Sequence, residues 1–250
     1  MPLTVDERLQ YDRLIQEAVR RSTARFTTFF PESGPYARRH YLKHLDFFAA
    51  GHRFKERLFM AANRVGKSEA GAFEVTCHLT GLYPEWWEGR RFTTPVECWA
   101  VGTNSQTTRD IVQAKLLGSV QAPGTGMIPV HLILSTISSR GLPGALEGGV
   151  IRHVSGGTSL LGLKTYEQGR QSFEGTSKDV IWCDEEPPAD CYTEMLYRTV
   201  TTKGIVMVTF TPLQGMSDVV KGFLEPETDI AEDFKTYIQA GWKDVPHLDP

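Results

Sequence analysis

Residues Ala61–Ser68 (AANRVGKS) set a lysine and a hydroxyl behind a glycine, at the spacing G/A-x-x-x-x-G-K-S/T. An apolar run, RLFMAA, precedes them, and a helix-forming stretch from Lys67 to Leu79, stopped by Gly81, follows. Strand, loop, helix is the context a phosphate-binding loop requires. In such a loop the backbone N–H groups of Ala62, Asn63, Arg64, Val65, Gly66, Lys67 and Ser68 would cradle phosphates, helped by the partial positive charge of the helix N-terminus. Lys67 would reach the β- and γ-phosphates and the Ser68 hydroxyl would ligate Mg²⁺, which makes ATP and Mg²⁺ the expected cofactors. Ala61 stands where the usual form has glycine. That glycine eases the turn out of the strand, and alanine serves if its φ stays negative.

A second constellation is VIWCDEE, where four apolar residues carry Asp184 and Glu185 to a sheet edge. Asp184 would hold Mg²⁺, and Glu185 would orient and polarise the water that attacks the γ-phosphate. Alone, acids after a strand read equally as a solvated strand end. Paired with an upstream phosphate loop they must converge on one metal. The third is MVTFTPLQG, a strand ending in Thr209 and Thr211 before Pro212. A polar residue at this position can sense the γ-phosphate and pass its loss to the rest of a motor domain; the alternative is a Thr-rich strand before an ordinary proline turn.

The elements that must position these residues alternate along the chain. ECWAVGT reads as a strand and Ser105–Leu117 as a helix. A Gly/Pro-rich loop, Gly118–Pro129, interrupts; GVIRHVSG and SLLGLKTY then form an expected hairpin. Ala189–Thr199 reads as a helix, GIVMVTFTP as a strand and DFKTYIQAGW as a last strand. At the front, Thr4 and Glu7 form a capping box before a helix carrying Tyr11, Leu14, Ile15 and Ala18 on one face. Such alternation implies a mainly parallel α/β sheet with ligands at the carboxyl ends of its strands. Taken with the phosphate loop and the acidic strand end, the expected fold class is a P-loop NTPase of the ASCE type, with helices flanking the sheet and an antiparallel hairpin insertion.

The three strand ends, with RFKERLFMAANRVGKSEAG, GGTSLLGLKTYEQGRQSFEGTSKDVIWCDEEPP and VTFTPLQGMSDVV around them, resemble the large terminase subunit of tailed bacteriophages. The resemblance covers nearly the whole chain, and YEQGRQSFEG running into the acidic strand is its most specific part. It implies an ATP-hydrolysing motor that drives double-stranded DNA through a portal into a procapsid, with the small terminase subunit as a further partner. It also implies a ring, expected as a pentamer, on the portal, a monomer in solution, and residence in the host cytoplasm with transient procapsid binding. Carried over by position, Lys67 and Ser68 match the phosphate-loop lysine and metal-binding hydroxyl. Asp184 and Glu185 match the metal-binding acid and catalytic glutamate, and Thr209–Pro212 match the coupling motif. Arg64 matches an arginine that contacts the γ-phosphate or couples its loss to movement; otherwise it is a solvated loop residue. The runner-up is another nucleic-acid-translocating ATPase, helicase-like, although helicases need two motor lobes.

Ring motors also use an arginine from a neighbouring subunit. Arg109, Arg140, Arg152 and Arg170 are candidates; Arg170 sits in the family-like block and Arg140 in an outward loop, SSRGLPG. HLDFF (His44–Phe48) falls where related motors hold adenine, although a core-facing pair Phe47 and Phe48 is the simpler reading. His40 and His44 are spaced i, i+4 but complete no metal set.

The resemblance divides the chain into residues 1–56, an N-terminal helical, adenine-side region; 57–242, the ATPase core; and 243–250, the start of a linker to a C-terminal nuclease domain, so that this fragment is not expected to cut DNA. With 250 residues, a net charge of -3 and 40% hydrophobic content, the chain suits one large globular domain and not a protein that coats nucleic acid. A local basic patch remains compatible with DNA contact, and Arg38–Arg57 and Gly118–Pro129 are the places to look. Four scattered cysteines without a C-x-x-C suggest a reducing compartment. No apolar run is long enough to span a bilayer and no signal peptide is legible.

Overall fold

Long apolar strands with no polar alternation must be covered on both faces, and this chain builds such a sheet. The computed structural model describes residues 8, 10, 11, 14, 15, 25–212, 215–225 and 234–248. The strands are β1 (Glu56–Ala61), β2 (Glu97–Gly102), β5 (Ile133–Ser138), β6 (Leu146–Arg152), β7 (Thr158–Thr165), β8 (Val180–Asp184), β9 (Ile205–Phe210) and β10 (Lys235–Ala240). A separate two-stranded ribbon, β3 (Gly118–Ser119) with β4 (Ala122–Pro123), lies inside the expected Gly/Pro-rich loop.

The main sheet runs β10-β1-β9-β8-β2-β7-β6-β5. The six strands from β10 to β7 are mutually parallel, while β6 is antiparallel to both its neighbours. β9 lies between β1 and β8, the added strand that distinguishes the ASCE arrangement. The expected hairpin is β6–β7, and it continues the main sheet. β5 extends it by one more strand that the sequence did not announce. Its side chains are mostly exposed, so it carries no apolar period to read.

Helices α1 (Leu42–Ala50), α2 (Lys67–Thr80) and α3, a continuous run of Ser105–Thr107, Thr108–Gln113 and Ala114–Leu117, cover one face. Helices α4 (Ala189–Thr199) and α5 (Asp218–Leu224) cover the other. α2 ends as expected, with Gly81 in the left-handed region at φ 74°. Phe26 stacks on Phe73 of α2 and Phe30 meets the same ring edge-on, so the chain before β1 is part of this core. Phe47 and Phe48 are fully buried, as the core reading of HLDFF requires. The capping box at Thr4 and Glu7, and Ala18, lie outside the described residues; Tyr11, Leu14 and Ile15 are helical and exposed. No described helix is long and apolar enough to cross a membrane.

One buried charge network fixes α2 against β1. Arg57 donates to Glu74 at 2.6 and 3.1 Å and to the Phe47 carbonyl at 2.6 Å. His78, one turn on from Glu74, lies 3.1 Å from the same carboxylate. Burial pushes the Glu74 carboxyl up, but the Arg57 charge and the His78 contact together more than offset it, so its pKa ends below normal. Buried charges survive only when paired in this way.

Candidate active site

β1 delivers the chain to Ala61, and the phosphate-loop residues turn between it and α2. Arg64 adopts φ 66° and Gly66 φ 96°, two left-handed positions that curl the loop. Glycine reaches this region without penalty, whereas Arg64 must be held there. Two donors from beyond β10 do so: Trp242 Nε1 donates to Asn63 O at 3.0 Å, and His247 Nε2 lies 2.9 Å from Arg64 O. His247 in turn stacks on Tyr41. Residues on both sides of position 242 therefore touch the loop.

Lys67 Nζ donates to Ala62 O at 3.2 Å and to Thr211 Oγ1 at 2.7 Å. Among the described residues no carboxylate pairs with it directly. Burial lowers its pKa, opposed by the nearby charges of Glu185 and Asp184. A buried cation whose two partners, a carbonyl and a hydroxyl, are uncharged is ready for an anion. Thr211, at the end of β9, is also within 3.0 Å of Asn63 Oδ1 and 2.9 Å of Ala61 O, which ties the third strand end to the loop.

Asp184 closes β8 opposite Thr209 of β9. Its carboxylate accepts from Thr209 Oγ1 at 2.9 Å and lies near the Ser68 hydroxyl. Burial raises its pKa, and the Ser68 and Thr209 hydroxyls pull it back. The next residue, Glu185, turns away at φ 69°, held by its own N–H to Thr209 O at 2.9 Å and by Tyr166 Oη to its carbonyl at 3.0 Å. Its pKa is raised, first by burial and then by Asp184, with Lys67 opposing. A hydroxyl and a carboxylate meeting at Ser68–Asp184 fit a divalent cation whose remaining ligands are phosphate and water oxygens. Among the described residues no cluster of three His, Cys, Asp or Glu could hold a metal alone.

Beside the loop lies a cavity of about 280 Å³ lined by Phe29, Phe30, Tyr41, His44, Arg64, Glu69 and His247, among others. His44 is buried against the backbone of Val65 and Gly66, and burial pushes its pKa down to about 4. It packs structurally; His40, in a preceding short helix, joins no metal set among the described residues.

The four arginines separate by position. Arg152 ends β6, an antiparallel strand, and so sits at the edge of the sheet away from the site. Arg140 follows β5 at the same edge as the site; it is exposed and makes no ion pair among the described residues. Arg170 is half exposed and donates to Glu194 at 3.2 Å. Arg109 pairs with Asp110.

Sequence reasoning did not single out Trp182, Trp242 or His247. Trp182 Nε1 donates to Thr209 Oγ1 at 2.9 Å, directly behind Asp184. Alternation along β8 could have placed Trp182 on the face of Asp184, since it lies two residues earlier. Nothing local marks Trp242 or His247, whose partners are 179 and 183 residues away.

The family model described as "Terminase large subunit, T4likevirus-type, N-terminal" matches residues 58–250. The large terminase subunit of Salmonella phage P22 is 36% identical over 243 residues, covering 89% of this chain and 47% of that protein. The chain thus spans about half the length of the curated relative it matches. A solved large terminase from the thermophilic bacteriophage D6E, in complex with ADP, aligns with 80% of this chain and 44% of its own at 11% identity and a TM-score of 0.49. With the family model matching more than half of the chain, it belongs to the terminase large subunit family, in the N-terminal part of such proteins.

Proposed function

We propose that this chain hydrolyses ATP as the motor domain of a terminase that moves double-stranded DNA into a procapsid. The observation that carries the reading is the convergence of three parallel strand ends on one point. Lys67 and Ser68 follow β1, Asp184 and Glu185 end β8, and Thr211 follows β9. Backbone N–H groups of residues 62–68 and Lys67 would hold the phosphates, and Ser68 and Asp184 the Mg²⁺, which supplies charge neutralisation when bound. Glu185 would orient water; a carboxylate with a raised pKa is the better proton acceptor. Thr211, bonded to Lys67, would feel the occupancy of the loop and pass it to β9. Arg64 would lie over the phosphates or relay their loss.

The arginine supplied to a neighbour would be Arg140 before Arg170. Arg140 lies six strands from β1, roughly 29 Å at the usual strand spacing, too far to serve its own site. It is exposed at the correct edge, whereas Arg170 is held by Glu194. Portal and procapsid, the small subunit and a ring of copies, expected as a pentamer, would be the partners. ATP turnover by wild type, Lys67→Ala and Glu185→Gln tests the catalytic assignment; a wild type no faster than Glu185→Gln refutes it. Stimulation by procapsids bearing portal, and not by forked DNA, is the outcome expected of a packaging motor.

A further inference from the structure

Asp184 is aimed through Thr209 by Trp182, a residue that has been given no role. β8 and β9 are parallel with Asp184 opposite Thr209, so Trp182, two residues earlier on the same face, lies behind the Thr209 hydroxyl. An indole N–H can only donate. When Trp182 Nε1 donates to Thr209 Oγ1 at 2.9 Å, the hydroxyl proton points elsewhere, and the nearest acceptor is Asp184 Oδ1 at 2.9 Å, ahead of Cys183 O at 3.4 Å. The chain has one direction. It occupies Oδ1 and leaves the second carboxylate oxygen for a cation.

The first link is locked sterically. Trp182 and Thr209 are fully buried. α2 closes over the indole at Gly71, where a Cβ would stand 2.3 Å from Trp182 Nε1 and Cε2. Glycine in a helix interior is destabilising relative to alanine, so its presence at this contact marks the indole's need for space. An apolar ring would fill the core equally well. The N–H is what a filler does not need.

We propose that Trp182 is a positioning residue: through Thr209 it orients the Asp184 carboxylate toward Ser68 and the divalent cation of a bound nucleotide. The inference rests on the nucleotide reading above and deepens it. Outer-shell partners of this kind are worth roughly 10–100-fold in metal affinity, with the lower end expected for a group two bonds removed.

The test compares the affinity of a fluorescent ATP analogue in Mg²⁺ with its affinity in EDTA, for wild type, Trp182→Phe, Thr209→Val and the double variant. Trp182→Phe keeps an aromatic ring, though a smaller one, and removes the donor. It is expected to lower the Mg²⁺-to-EDTA affinity ratio by about tenfold while leaving the EDTA affinity within about twofold. Thr209→Val is expected to lower the ratio at least as far, the double variant no further, and Thr209→Ser to recover most of the loss. A Trp182→Phe ratio equal to wild type, or single effects that multiply in the double variant, overturns the relay. Should Trp182→Phe fail to fold, the Thr209→Val and Thr209→Ser pair decides: equal ratios in the two overturn it. A wild type whose ratio is near one overturns the nucleotide and metal reading itself, and the relay with it.

Discussion

Substituting Gly71 by alanine turns the packing over Trp182 into a measurement of sign. In a solvent-facing helix the change is stabilising, by about 1 kcal/mol of helix propensity. At Gly71 the new methyl would lie 2.3 Å from two indole atoms, against an ordinary contact of 3.4 Å or more. The ring or the helix must therefore move by about 1.1 Å, which is 3.4 minus 2.3. Overpacking of this kind costs about 1–3 kcal/mol. A shift that large also disturbs the 2.9 Å bond to Thr209, worth about 1 kcal/mol more. The net expectation is a loss of roughly 1–3 kcal/mol, visible as a urea midpoint about 1 M lower. Equilibrium unfolding followed by far-UV circular dichroism measures it. A midpoint higher than wild type would refute the reasoning, because propensity would then have won and the indole would not be confined.

Glu74→Ala leaves the Arg57 guanidinium buried without its carboxylate, at a cost of about 3–5 kcal/mol and a melting temperature roughly 10 °C lower; a change under 2 °C by calorimetry would contradict it. His44, with its pKa lowered from 6.5 to about 4, is neutral in the fold while the unfolded chain binds its proton between those values. Its contribution is therefore fully present above pH 6.5 and is lost as pH falls toward 4, up to about 3 kcal/mol. His44→Phe should flatten that acid limb in denaturation curves taken at pH 7 and 4.5, and an unchanged slope would assign the loss to other groups. His247→Ala removes the partner of Arg64 O and should weaken nucleotide binding about fivefold by fluorescence titration, with little change in the unfolding midpoint.

The strand-and-helix order and the edge where the site lies were legible because the relevant signals are local. Lys67 and Ser68 follow a strand within a few residues, and Asp184 and Glu185 end one. Periodicity and turn chemistry marked α2 through Gly81 and the β6–β7 hairpin through its glycines. What stayed hidden depends on pairings between distant residues. β5 is an exposed edge strand, and its pattern holds no buried face to detect. Thr209 and Thr211 look alike in sequence, yet one is fully buried against Asp184 and the other meets Lys67. Strand alternation alone would put both on one face; the difference comes from the chain leaving β9 after Phe210, and from the register of β8 on β9. Trp242 and His247 lie in a polar tail whose composition suggests only a linker.

The bonds from that tail also decide where the loop's donors point. In a trans peptide the carbonyl and the following N–H lie in one plane and face opposite ways. Trp242 draws Asn63 O outward and His247 draws Arg64 O, so the N–H groups of Arg64 and Val65 are turned to the inner side, where Val65 N already rests 3.4 Å from Ala62 O. The segment after β10 thus sets the direction of the loop dipoles through their carbonyls. Conformational freedom that a flexible glycine loop would lose when phosphate arrives is lost here on folding, and the binding event is spared that entropy.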